Sequence, residues 1–294
     1  MDETADISRH EQVSCCLRYI VEGEFFESFI GFNQIDSTTG DALCALVLKI
    51  LSNASLSPKN IVGMCFDGAS NMKGINKGLA TRMIEHSPQA LYVHCYGHLL
   101  NLAIQDALSG VTPLRNTLGT IQELYNFIEG SPKRHLAFQK QNVIFTLKSQ
   151  SATRWSCRHE SVKAVIEQFP NVVNCLIELS SDSNPSTSTK SSLLLSAICS
   201  FNFIFCTYVL RTILSNTASL SRYLQSETMD VRTARKTSKA TAEALKKCRN
   251  DESFETVWTQ ADLMAEKVKL VVSGTFFVTF SLVQKYFDNL KLLM

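Results

Sequence analysis

The hydrophobic pattern of this chain changes period near Thr112, and that change limits the fold more than any other feature. Before it, short β-prone runs broken by turn residues alternate with stretches of helical spacing. After it the strand signals fade and helical spacing takes over. A chain patterned this way folds as a mixed α/β part followed by an all-α part. With 294 residues, 45% of them hydrophobic and 19% charged, it can bury a sizeable core and does not have the composition of a disordered protein.

Gln12–Val21 and Glu24–Ile35 read as two strands joined by a turn at Glu22-Gly23, a hairpin. Thr39–Ser52 carries Leu43, Leu46, Val47, Ile50 and Leu51 at helical spacing. Ile61–Phe66 is the next strand, Asn76–His86 a helix, Ala90–Cys95 a short strand, and Leu99–Leu108 a helix. If the residues before Ser8 end a first strand, the order is three strands, helix, strand, helix, strand, helix. A hairpin followed by helix-linked strands makes a mixed sheet. In the second part Leu114–Ile128, Glu160–Leu179, Leu193–Leu214 and the 217–265 region read as helices, with Ser180–Ser192 as a Ser/Thr/Pro-rich linker. Ser191–Leu210 has no charged residue and barely reaches the length of a membrane span. Its serines, Asn202, Thr207 and the following Arg211 favour a buried core helix, so no membrane contact is expected.

The charge is divided unevenly. Residues 1–130 carry 8 Lys and Arg against 14 Asp and Glu, and residues 131–294 carry 21 against 13. A basic second part suits phosphate contact, although a solvated helical surface has the same composition. The ten cysteines show no CxxC spacing and read as free thiols in a reducing compartment; Cys15 and Cys16 should face opposite sides of their strand. The acidic N-terminus is unlike a secretory leader.

Asp67 directly follows an apolar strand, where open α/β sheets place their chemistry. With Asp2 and Asp6 it could supply hard oxygen ligands for Mg²⁺ or Mn²⁺ in phosphoryl transfer. From spacing alone the plainer role, a side chain closing the turn after its strand, is favoured. His94, Cys95 and His98 have ligand chemistry but no second pair beyond a Cys65 that could lie beside them in the sheet; a structural role at a strand-to-helix junction is favoured. Gly68-Ala69-Ser70-Asn71-Met72 lacks the glycine pattern of a nucleophile elbow. Arg154-Trp155 suits phosphate contact or base stacking, and Arg232, Arg235, Lys236 and Lys239 form a basic run on one helix, beside a second cluster at Lys133-Arg134-His135.

Four segments taken together carry a resemblance: Asp2-Glu3-Thr4-Ala5-Asp6-Ile7-Ser8, Phe66-Asp67-Gly68-Ala69-Ser70-Asn71-Met72, His94-Cys95-Tyr96-Gly97-His98-Leu99-Leu100-Asn101-Leu102 and Thr153-Arg154-Trp155. In order and spacing the chain resembles the catalytic region of hAT-superfamily transposases and their host-gene relatives of the zinc-finger MYM type, over residues 1–268. The resemblance implies an RNase H-like mixed sheet, with most of its first strand missing, interrupted by a large helical insertion. It implies that Asp2 and Asp67 match two acids of an Asp-Asp-Glu triad that holds two Mg²⁺ or Mn²⁺ ions, and that Cys95, His98 and Asn101 form a structural motif. It places zinc fingers upstream, and the third acid and a dimerisation segment downstream.

On this reading residues 1–111 form the RNase H-like part, 112–270 the helical insertion and 271–294 an unmatched apolar tail. The expected role is that of a domesticated or relic transposase, nuclear and without catalysis, that binds duplex DNA through Arg154, Trp155, Arg232, Arg235, Lys236 and Lys239 or binds protein partners. Without activity no cofactor is expected, and a dimer is expected of the full-length family member. Two alternatives remain: an active metal-dependent nuclease whose third acid is Asp262 or Glu266, and a protein-interaction module without nucleic-acid affinity.

Overall fold

The computed structural model describes residues 2–5, 10–74, 77–150 and 155–268, with the side chains of 2–5, 155 and 156 left out. The apolar tail 271–294 lies outside the described residues. The chain divides into two compact units that meet at residues 99 and 100, and each is described by itself.

In the first unit β1 (Asp2–Ala5), β2 (Glu11–Val21) and β3 (Glu24–Ile35) form an antiparallel sheet in the order β1-β2-β3. The expected hairpin is present, and its turn residues Glu22 and Gly23 have φ of 52° and 88°, as a two-residue hairpin turn requires. One irregularity reshapes β3. Cys15 pairs with Gly31 but Cys16 pairs with Phe29, so Ile30 is an extra residue, a β-bulge. Gly31 has φ 141°, a backbone conformation that side chains disfavour.

Next come α1 (Gly40–Asn53), β4 (Gly63–Phe66), the single turn α2 (Ser70–Lys73), α3 (Leu79–His86) and β5 (Leu91–His94), and α4 (Tyr96–Ser109) begins. The expected element order therefore holds, with β4 and β5 shorter than expected. Thr39 caps α1 by accepting the Ala42 N–H at 3.4 Å. β4 and β5 pair in parallel, Gly63 opposite Leu91 through Phe66 opposite His94. Among the described residues the two sheets are not hydrogen-bonded into one. They do share a core: Val13 of β2, Leu43 and Leu51 of α1, Met64 and Phe66 of β4, and Met72, Leu79 and Met83 cluster together.

The second unit is all helix. It holds α5 (Thr112–Glu129), α6 (Pro132–Gln139), α7 (Trp155–Ile166), α8 (Phe169–Ser180), α9 (Pro185–Ile198), α10 (Phe201–Leu224), α11 (Val231–Lys247) and α12 (Asp251–Lys267). The 24-residue α10 is its axis and packs against α5, α7, α9, α11 and α12. An aromatic group of Phe201, Phe205, Phe254 and Trp258 joins α10 to α12, with Phe201 and Trp258 centroids 4.7 Å apart.

Three expectations are corrected here. The stretch 160–179 is two helices rather than one. Pro170 can begin α8 but cannot continue α7, and the buried Gln168 between them accepts the Ile144 and Phe145 N–H groups at 3.1 Å. The linker expected at 180–192 is mostly α9: Asn184 caps it by accepting the Ser186 and Thr187 N–H groups, and Pro185 fits its first turn. The Ser188 and Ser192 hydroxyls donate to the Ser180 and Ser188 carbonyls, and buried Ser191 donates to the Leu176 carbonyl at 2.7 Å. The apolar run 193–214 breaks at Ser200, whose hydroxyl caps α10, and the two helices meet at 69°. Among the described residues no single helix is long and apolar enough to cross a membrane. Thr207 within the run is buried and donates to the Phe203 carbonyl at 2.7 Å, so its hydroxyl is satisfied in the core.

Candidate functional site

The parallel pair β4–β5 brings Asp67 and the His94–Cys95–His98 group together. Side chains alternate along each strand, so Met64 and Phe66 point into the core while Cys65 points away from it. Asp67 leaves the end of β4, and its carboxylate accepts the Ala69 N–H at 3.1 Å. The turn-closing role read from sequence is thus realised. Tyr92 donates to the Asp67 carbonyl at 3.2 Å, and Asn71 donates to the Thr38 carbonyl at 2.9 Å, which fixes the segment after the strand against the entry to α1. Gly68 leaves room for the His94 ring: a Cβ there would lie 2.6 Å from it, so the ring would have to shift.

His94 and His98 have ring centroids 5.7 Å apart. Burial, aided by Lys73 and His98, lowers the His94 pKa, with Cys95 and Asp67 opposing. A neutral imidazole follows. Cys95 stands just before α4, its own N–H donating to the Phe66 carbonyl at 2.9 Å. Its sulfur takes a hydrogen bond from Cys65 and further ones from the backbone N–H groups of His98 and Gly97, and together these hold its pKa low against burial. Cys65, which supplies the proton of that contact, is pushed up, first by the bond and then by burial. The phenol of Tyr92 is raised by burial, with the Asp67 charge next. Of the third member of the expected motif, Asn101, the side chain is buried.

A divalent metal of the Mg²⁺ class needs several hard oxygen donors. At the β4 end the described side chains offer one carboxylate, Asp67, beside imidazoles, thiols and Lys73. Among the described residues no group of three His, Cys, Asp or Glu is placed to hold a metal ion. The described donors do not by themselves fit such an ion, and no chemical step is derived through one. Asp2 sits on β1 opposite Ser14, but its side chain, like Asp6, lies outside the described residues. Asp262 and Glu266 lie four residues apart on α12 in the helical unit.

The basic residues separate into two kinds. Arg232, Arg235, Lys236 and Lys239 all lie exposed on one face of α11, opposite the buried Ala234. Lys133-Arg134-His135, also a candidate cluster by sequence, is spent on structure. Lys133 pairs with Asp182 at 2.7 Å, Arg134 stacks over Phe127 at 4.7 Å, and His135 lies 2.7 Å from Glu129. Arg154 lies outside the described residues, and Trp155 begins α7 with its side chain also outside them.

The sequence reading missed the roles of Tyr92, Gly68 and Asn71. Alternation along 91–94 could have paired Tyr92 with the face of Phe66, but no sequence signal places its hydroxyl on Asp67.

Residues 1–78 match the family described as DUF4371, the ZMYM1/FAM200 RNase-like domain, and residues 93–201 match the ZBED1 RNase-like helical domain. These two models bear out the resemblance to hAT-transposase-derived proteins. It is similar to the human 52 kDa repressor of the inhibitor of the protein kinase, 28% identical over 246 residues, covering 78% of this chain and 32% of that protein. The mouse protein of the same name is 26% identical over 247 residues with the same coverage, 78% and 32%. The chain thus spans about a third of the length of these relatives.

Proposed function

We propose that this protein is a domesticated transposase derivative that binds duplex DNA in the nucleus without cutting it. The observation that carries the binding is the basic stripe of α11. Four cations recur at spacings of three, four and seven along one exposed face, so they can follow a phosphate backbone together. The RNase H-like character of the sheet unit, with β1 joined to β4, belongs to the same reading.

Binding of a fluorescent duplex, followed by anisotropy at rising salt, tests this. The affinity should fall steeply with salt, and the double variant Arg235→Glu/Lys236→Glu should weaken binding at least about tenfold and flatten the salt slope by about 2. Salt-independent binding, or none, overturns it. Cleavage of the duplex with Mg²⁺ or Mn²⁺ that disappears in Asp67→Ala would restore the active-nuclease reading.

A second reading has its own support. Ile20, Phe25, Phe29 and Phe32 share one exposed side of the β2–β3 hairpin, a pattern typical of protein-binding surfaces.

A further inference from the structure

The fold brings two thiols into contact that sequence distance keeps thirty residues apart. Cys65 is the penultimate residue of β4, and Cys95 follows the last residue of β5. Because Cys65 pairs with Val93, Cys95 lies two positions further along the neighbouring strand, diagonal to Cys65 on the same side of the pair. That side faces away from the core, and the two thiols lie near enough for each to shift the other's ionisation. Cys65 is exposed and Cys95 half-buried, so a small reagent can reach them. Of the other cysteines, Cys15, Cys44, Cys175 and Cys206 are buried, Cys157, Cys199 and Cys248 are half-buried in the helical unit, and the exposed Cys16 stands on β2 beside the buried Cys15.

We propose that Cys65 and Cys95 form a redox-active dithiol, a modification site that glutathione disulfide converts to an intramolecular disulfide. The exchange balances in two steps. The Cys95 sulfur attacks one sulfur of glutathione disulfide, and a glutathione thiolate leaves. Cys65 gives up its proton and attacks the Cys95 sulfur of the mixed disulfide, expelling the second glutathione. Two cysteine thiols are oxidised, one glutathione disulfide is reduced to two glutathione thiols, and the two cysteine protons end on them. Diagonal neighbours in a sheet sit about 7–8 Å apart, just beyond the usual span of a disulfide, so closing the bond draws the backbone in at the end of β4 and leaves a strained, readily reduced link, as befits a switch rather than a permanent staple. When formed, it ties the end of β4 to the start of α4 and fixes the turn that carries Asp67.

The full chain is equilibrated with mixtures of oxidised and reduced glutathione, quenched by alkylation and mapped by peptide mass. As the mixture becomes more oxidising, a peptide linking Cys65 to Cys95 should appear, no glutathione should stay on either, and added reduced glutathione should reverse the link. Cys65→Ser should instead leave one glutathione trapped on Cys95, as already expected for the unpaired Cys16. The proposal is overturned if the wild-type chain shows no Cys65–Cys95 link across the range, whether the two stay free, keep separate glutathiones or bond to other cysteines.

Discussion

Residues 100–268 close over their own core, whereas residues 10–99 cover only one side of their sheets. In the helical unit α10 is wrapped by five neighbours, and Phe138, Leu176, Ile198 and Leu210 are fully enclosed. In the sheet unit Val13, Met64 and Phe66 face a shared core, while Phe25 and Phe32 on the other side of β3 are 75% and 69% exposed. An ion pair, Arg18 to Glu27 at 2.8 Å, interrupts that side, and Gln12, Ser14 and Gln34 share it toward the other end of the hairpin. The difference teaches where stability and where interaction are concentrated. A helical core that excludes water on all sides supplies stability by itself. A sheet with one bare apolar face keeps part of its hydrophobic free energy for whatever covers it.

The largest test of that contrast is Leu176→Ala, which removes an enclosed side chain from the helical core. It should cost about 2–5 kcal/mol in urea unfolding followed by circular dichroism; a cost below about 1 kcal/mol would show that this core is loosely packed. Next in size is a cap. Asn250 accepts the Ser253 N–H at 2.7 Å at the start of α12. Asn250→Ala should cost about 1 kcal/mol, read in the same experiment.

A smaller effect depends on pH. His159 on α7 has its pKa lowered from the ordinary 6.5, by burial first and then by Lys163, Arg222 and Arg211, with Glu160 opposing. The unfolded chain therefore binds the proton more readily. This histidine's contribution to stability is complete above pH 6.5 and declines as the pH falls below it. His159→Gln should flatten the stability profile on the acid side of that point, and an unchanged slope would assign it to other groups.

The smallest expected change is on the bare face. Phe25→Ser/Phe32→Ser should shift stability by no more than about 0.5 kcal/mol per site while lowering the binding of an apolar dye. A large destabilisation would mean that the face is covered in the protein as it folds, and the contrast between the two units would fail.

The order of elements was legible because alternation and helical spacing are local. The turn at Glu22-Gly23 and the strands on either side need only neighbouring residues. The bulge was not legible. Phe29 and Phe32 are an odd number of residues apart and by strict alternation face opposite ways, yet the extra Ile30 puts them on one face with ring centroids 5.1 Å apart. Helix breaks at Gln168 and Ser200 were hidden because apolar spacing continues through them, and the break depends on a proline or a cap that competes with the next turn. At the candidate site the aspartate at a strand end was readable, and so was the Cys95–His98 segment, since both mark strand ends.

Sequence by itself determined the element types, the switch from mixed to helical structure and the free-thiol chemistry, because these follow from side-chain period and composition. Tertiary structure alone decided which thiols touch, which basic cluster stays exposed and which is consumed by Asp182, Phe127 and Glu129, and which face of the hairpin lies bare. Those outcomes depend on parallel register and on packing between distant segments, and neither is encoded in any short stretch of chain.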